Sequence, residues 1–399
     1  MKFDRDSLLL VAPAIYLLVL PIPHTTALRN IAFGISVLLL LATWRSWPVP
    51  SIPLKAPFVA WFALAVVSLI GAVNLRYSIG EIRSEIVYSV LTFLIFFRAT
   101  RSARELNLWF LTLAASALLV GTLASAHFLR GLHPYHVGSY GGALHYAAYL
   151  NTVFPMLAAI AIFLGKWQRA GLVLLMAFLI LTAYGSTSRA VWIGFVAELI
   201  LFGGLYLRHM GVSPRMRKVA LIAGMGGVVL LSAALVYVTK EKWNFSGGPI
   251  EIVTQAIKAD RRPQLWVDSL DYIKERPVTG AGFGRMVLGE ELVRQQQDPN
   301  HSHAHNIFLN YALQLGLLGP IVLVLLFYSV VSELRKMMRS SNRDLRILGI
   351  AGISIVGGIF VQCMIEDVFV QHMAMQFWAL MGISFGYAGA RKRTVNSEQ

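Results

Sequence analysis

RMRKVALIAGMGGVVLLSAALVYV, residues 215–238, opens on three basic residues and then runs from Val219 to Val238 without a charge. A helix rises 1.5 Å per residue, so about 20 apolar residues cross the roughly 30 Å hydrocarbon core of a bilayer. The run is continuous, with no period-two alternation, which selects a helix over a barrel strand. The rest of the 399-residue chain has the same character. It is 56% hydrophobic and only 14% charged, where a soluble domain carries nearer a quarter charged residues. The expected fold is an all-α integral membrane protein.

About 12 apolar runs qualify as transmembrane helices by length: 7–23, 27–44, 56–73, 84–99, 105–128, 142–164, 168–184, 189–207, 217–238, 305–332, 345–365 and 368–388. MKFDRD is a weakly basic start with no small-residue cleavage site after it, so the first run reads as a retained helix. An even number of spans puts both termini on one side. With the N-terminus in the cytoplasm, 21 Lys and Arg fall in cytoplasmic segments, among them Arg215, Arg217, Lys218, Arg335, Lys336, Arg391, Lys392 and Arg393. The short outer loops hold five: Arg29, Arg76, Arg83, Arg130 and Arg189. This is the positive-inside bias, and it accounts for the net charge of +15 without nucleic acid. The lone Cys363, inside an apolar run, reads as packing.

Residues 239–304 break the pattern. They are polar, with nine Lys/Arg and nine Asp/Glu. They form one large outer loop between spans 9 and 10, dividing the chain into 1–238, 239–304 and 305–399. A connection this long is usually functional. Its stretch 264–277, QLWVDSLDYIKERP, has helical spacing, with Leu265, Trp266, Leu270 and Ile273 on one face.

The loop ends in HSHAHN, 301–306. Three readings stay open for His301, His303 and His305. They are a metal site, although no carboxylate or cysteine stands nearby at zinc-ligand spacing; solvated loop residues; or, for His305 at the mouth of span 10, a general base. GSTSRAVWIG, 185–194, puts Ser186, Thr187, Ser188 and Arg189 at the outer start of span 8. A helix N-terminus with a cation there suits an anion, or Arg189 simply reaches for the interface. In ADRRPQLW, 259–266, Arg261 and Arg262 precede an indole; a guanidinium binds phosphate bidentately, or is a solvated charge. The glycines of ERPVTGAGFG, 275–284, follow no strand, so a nucleotide loop fails and a tight turn is expected. Glu366 and Asp367, between spans 11 and 12, share a face of the membrane with His305, where a carboxylate would orient the imidazole. Glu198 is the one deep acid, about 13 Å below Arg189 by helical rise; no role follows for it.

At these residues the sequence resembles the O-antigen ligase and polymerase superfamily. His305, Asn306, nine residues, Gly316, two residues and Gly319 match the ligases' signature. Arg189 after small hydroxyl residues, Arg262 before Trp266, and the Pro277-to-Gly284 turn match further motifs. The resemblance implies a glycosyltransferase of the GT-C kind in the bacterial inner membrane, with its active site facing the periplasm. It would move a glycan from undecaprenyl pyrophosphate to a sugar hydroxyl of lipid A-core, inverting and without metal, nucleotide or other cofactor. The expected catalytic residues are His305, Arg189 and Arg262, the two arginines holding pyrophosphate, with Asp367, Glu366, Asn306, Arg261 and His303 in support. The partners are then the lipid-linked glycan, lipid A-core and membrane lipids. An O-antigen polymerase or a protein O-oligosaccharyltransferase of the same superfamily is the nearest alternative. One large loop rather than two, and a chain ending soon after span 12, favour the ligase. A transporter or flippase of lipid-linked glycans is an alternative of another class; no internal repeat supports it.

Overall fold

A computed structural model describes residues 9–22, 24–44, 51–129, 143–184, 189–297 and 302–397. Among them all regular structure is helical. Before the large loop lie α1 (Val11–Val19), α2 (Thr26–Ala42), α3 (Lys55–Val67), α4 (Leu75–Glu81), α5 (Tyr88–Ala99), α6 (Ala103–Leu129), α7 (Ala143–Phe163), α8 (Lys166–Tyr184), α9 (Arg189–His209) and α10 (Pro214–Trp243). The loop carries α11 (Pro249–Ala259), α12 (Arg262–Glu275) and α13 (Gly289–Gln296). After it come α14 (Ile307–Leu315), α15 (Leu318–Met338), α16 (Arg343–Cys363) and α17 (Gln371–Ser397).

Every one of the expected apolar runs holds helix. Among the described residues, five helices are long and apolar enough to cross a membrane: α6, α8, α10, α15 and α16. The protein is therefore a multi-pass membrane protein. The span expected over 305–332 is broken. Gly316 stops α14 at φ 68°, ψ −168°, a conformation open essentially to glycine alone. Nine residues rise about 13 Å, so α14 is a short helix, and Gly316 ends it against Pro277 and Val278 of the loop before α15 begins. The start of the expected 84–99 span is also irregular. A π turn, Ile82–Val87, joins α4 to α5; such turns gather at functional sites.

Contacts between helix ends sort the bundle. Arg98, at the end of α5, donates to the carbonyls of Thr43 and Trp44 past the end of α2. At the opposite end the loop sits on the 71–74 turn: Arg276 donates to the Gly71 carbonyl, and Val73 N–H to that of Ala281. Gly382 and Gly386 on α17 let the backbone of α5 come into contact at Phe93 and Phe97, the close approach that small residues permit in membranes. Phe58, Phe93, Phe369, Phe377 and Trp378 pack edge to face beneath the 364–370 turn and give it a firm floor.

The loop helix α12 buries Leu265, Asp268, Ser269 and Ile273. That corrects the face expected from spacing: Leu270 is exposed, and Trp266 half-buried beside the seam. Hydrogen bonding decides it, because Asp268 accepts from Gln264 and Gln296, and the Ser269 hydroxyl donates to the Leu265 carbonyl one turn back.

Candidate active site

His303 and His305 flank a turn that four other segments hold. His305 has φ 50°, costing about 1 kcal/mol or more for a non-glycine residue, so the surroundings must over-determine it. They do. Asn306 caps α14, its Oδ1 accepting from the N–H groups of Phe308 (3.0 Å) and Leu309 (3.2 Å), while Nδ2 donates to the Met364 carbonyl (3.2 Å). Asn310, one turn on, accepts from Ala304 N–H (2.8 Å) and donates to Asp367 Oδ2 (2.6 Å). Trp266 Nε1 donates to the Ala304 carbonyl from α12 (2.9 Å). Gln314, a further turn on, accepts from Gly284 N–H (2.8 Å). Asn306, Asn310 and Gln314 thus form a polar stripe at i, i+4 and i+8 on an otherwise apolar helix.

The motif glycines now have reasons. A side chain at Gly316 would strike the carbonyls of Pro277 and Val278, and one at Gly319 the Tyr311 carbonyl. The tight turn expected within 275–284 is there, with Gly280 N–H donating to the Arg276 carbonyl, and the chain beyond it threads between α14 and the 72–78 segment, where Ala281 and Gly282 donate to the Leu313 and Gln314 carbonyls. Gly280, Gly282 and Gly284 all have positive φ.

At the centre stands Glu366, 6% exposed. Its Oε1 bonds His305 Nδ1 at 2.7 Å and His303 Nε2 at 3.2 Å; its Oε2 bonds Arg262 Nη2 at 3.1 Å. Burial opposes ionisation of Glu366, but the hydrogen bonds from His303 and His305 overcome it and hold the carboxyl well below its ordinary range. Arg262 beside it is a further reason for the ionised form. Burial lowers His303 to about 4, against the pull of Glu366, so its imidazole is neutral at physiological pH. Asp367, 2% exposed, is pushed up by burial, with Arg285 and Asn310 opposing.

The expected site residues separate as follows. His305, His303, Asn306, Arg262, Glu366 and Asp367 come together. It is Glu366 that contacts the imidazole; Asp367 turns away to Asn310 and takes Arg285 on its carbonyl (2.6 Å). Arg262 is paired with Glu366 and, at 3.7 Å, with Asp260. Arg261 is exposed at the cap of α12. Arg189 begins α9 as expected, but its side chain, like Ser186, Thr187, Ser188 and His301, lies outside the described residues. Its backbone height follows from register. Gly358 on α16 faces Glu198 on α9, and both Arg189 and Glu366 lie about 12–13 Å outward from that level by helical rise. Glu198 is buried, and neither carboxylate oxygen has a partner among the described residues.

One premise is corrected. Spacing offered the histidines no carboxylate, yet the fold brings Glu366 to them from 61 residues away, and three ligand atoms of His303, His305 and Glu366 lie within 4.8 Å of one another. Arg285 and Asn310 were missed altogether. The i, i+4, i+8 stripe was the signal for Asn310; Arg285 left none.

Residues 172–324 match the family model described as O-antigen ligase. This stretch is similar to the O-antigen ligase family. The matched stretch runs from α8 into α15 and takes in Arg189, Arg262 and His305. No curated protein matches the chain.

Proposed function

We propose that this protein is a member of the O-antigen ligase and polymerase superfamily and an O-antigen ligase, a GT-C-type enzyme of about 12 spans in the inner membrane, with the His305 site on the periplasmic side. It joins a glycan carried on undecaprenyl pyrophosphate to a sugar hydroxyl of lipid A-core. One observation carries the reading: a single carboxylate, Glu366, bonds both the imidazole of His305 and the guanidinium of Arg262. A base and an anion-binding cation are thereby held side by side at the mouth of a membrane bundle.

With Nδ1 donating to Glu366, the base nitrogen is Nε2. It takes the proton as the acceptor oxygen attacks the anomeric carbon and the bond from that carbon to the pyrophosphate oxygen breaks. One displacement inverts the centre. Glu366 fixes the tautomer and stabilises the imidazolium that forms. Arg262 and Arg189 bind the pyrophosphate and offset charge on the leaving group; Arg262 gives up Glu366 or shares it as the donor arrives. Chemistry of this kind uses no nucleotide outside the cytoplasm.

Purified protein with lipid-linked glycan and lipid A-core, and no nucleotide, should yield the joined product. His305→Ala should slow transfer about 10²–10⁴-fold, the usual worth of a general base, while donor still binds. Arg189→Ala and Arg262→Ala should nearly abolish transfer, with lysine restoring part, since it lacks the bidentate fork. Full activity in both alanine variants would refute the pyrophosphate role. Lengthened glycan on the polyprenyl carrier, with nothing on lipid A-core, would make the protein a polymerase.

A further inference from the structure

We propose that His303, His305 and Glu366 form a transition-metal site whose occupation by zinc shuts the enzyme off. The inhibition rests on His305 being the base; the binding does not. Three donors converge here from two segments, His303 and His305 from the turn before α14 and Glu366 from the turn after α16, all within 4.8 Å of one another. Ligands about 2.1 Å from a tetrahedral ion stand roughly 3.4 Å apart. His303 Nε2 is 3.2 Å and His305 Nδ1 2.7 Å from Glu366 Oε1, and the two rings are 4.0 Å apart. Small side-chain rotations therefore open the seat. His303 Nδ1 has no partner among the described residues, so a small rotation of that ring costs no hydrogen bond at Nδ1 and leaves Nε2 facing Glu366.

Imidazole nitrogens select zinc and its neighbours over magnesium or calcium. Arg262 argues against a permanent occupant. Its guanidinium already neutralises Glu366 at 3.1 Å, and a dication must displace it. Asp260, at 3.7 Å on the same loop, is there to receive it. Binding is consequently reversible and competitive, as suits an inhibitor and not a resident cofactor.

The block is one of tautomers. A neutral imidazole has one N–H and one lone pair. With Nδ1–H on Glu366, the lone pair is at Nε2. A zinc ion at Nδ1 takes a lone pair there, so the ring proton moves through solvent to Nε2. That nitrogen can no longer accept the proton of the acceptor hydroxyl.

Zinc alone, titrated into the purified full chain by calorimetry or against a chromogenic chelator, should bind at one ion per chain. Magnesium at the same concentrations should not compete. His303→Ala and Glu366→Gln, each checked for a wild-type melting curve, should bind at least tenfold more weakly, and Co²⁺ should give tetrahedral visible bands that both lose. Transfer by the wild type should fall as zinc fills the site and return with EDTA. No saturable site, or unchanged affinity in whichever variant folds, overturns the proposal; the ion would then lie elsewhere, as in the acidic cleft of Asp268, Asp271, Glu275 and Glu291 between α12 and α13. Zinc that binds without slowing transfer overturns the inhibition. Activity that disappears with EDTA and returns with zinc overturns it too, and the base mechanism with it. Absence of transfer at any zinc level is a failure of the proposed function, and leaves the binding result standing.

Discussion

Asn310 and His303 are where single side chains decide most. Asn310 is 1% exposed and is the only described side chain that bonds both the His303–His305 turn and Asp367. Its amide must accept on one side and donate on the other. Asn310→Asp keeps the acceptor for Ala304 N–H but can donate to Asp367 only when a proton is shared between the two acids. Its transfer rate, divided by the wild type's at the same pH, should therefore rise as pH falls from about 8 towards 5.5, while Asn310→Ala stays low throughout. A flat ratio for the aspartate variant would show that the bridge does not position the base. His303 carries a second pH signature. Its folded pKa of about 4 lies below the ordinary value near 6.5, so the unfolded chain binds the proton first. The fold then loses stability as pH falls through about 6.5 to 4. The melting temperature should drop over that window, and drop less in His303→Gln. Equal drops would mean that other groups dominate.

At the scale of the element, α14 is the critical piece. Sequence periodicity made it the start of a 28-residue span, 305–332, because an apolar helix and an apolar half-helix look alike along the chain. Gly316 is the break, and its φ, ψ pair belongs to glycine. Gly316→Ala should destabilise the protein by about 1–3 kcal/mol from backbone strain, with more from the clash at Pro277 and Val278. It should also lower transfer, because the same stop sets the depth at which Asn306, Asn310 and Gln314 meet their loops. A wild-type melting curve and rate in Gly316→Ala would mean that α14 and α15 can run on as one helix.

Over the whole molecule, one plan follows from charge. The bias of 21 basic residues to five in the short loops predicts both termini in the cytoplasm and 239–304 in the periplasm. Reporter fusions after Gly211 and after Lys392 should read cytoplasmic, and fusions within α11 periplasmic. A cytoplasmic reading from α11 would put the His305 site on the wrong side for a periplasmic glycan donor.

Membrane character and helical class were legible in the sequence, and so were His305, Asn306 and Arg262, which the fold brings together, and Gly316 and Gly319, where it leaves no room for a side chain. Each depends on what lies within a few residues along the chain: an apolar run, a flanking charge, a spacing. The partners were not. Glu366 rather than Asp367 reaches His305, Arg262 arrives from another helix, and Arg285 comes in under Asp367. Adjacent residues in a turn point to different sides, and only the packing of α16 and α17 on the aromatic floor of Phe369, Phe377 and Trp378 sets which carboxylate faces the histidines. Spacing along one segment carries no information about a ligand atom 61 residues away. The tertiary fold therefore settled whether His303 and His305 had an acid beside them, and it placed Glu366 there.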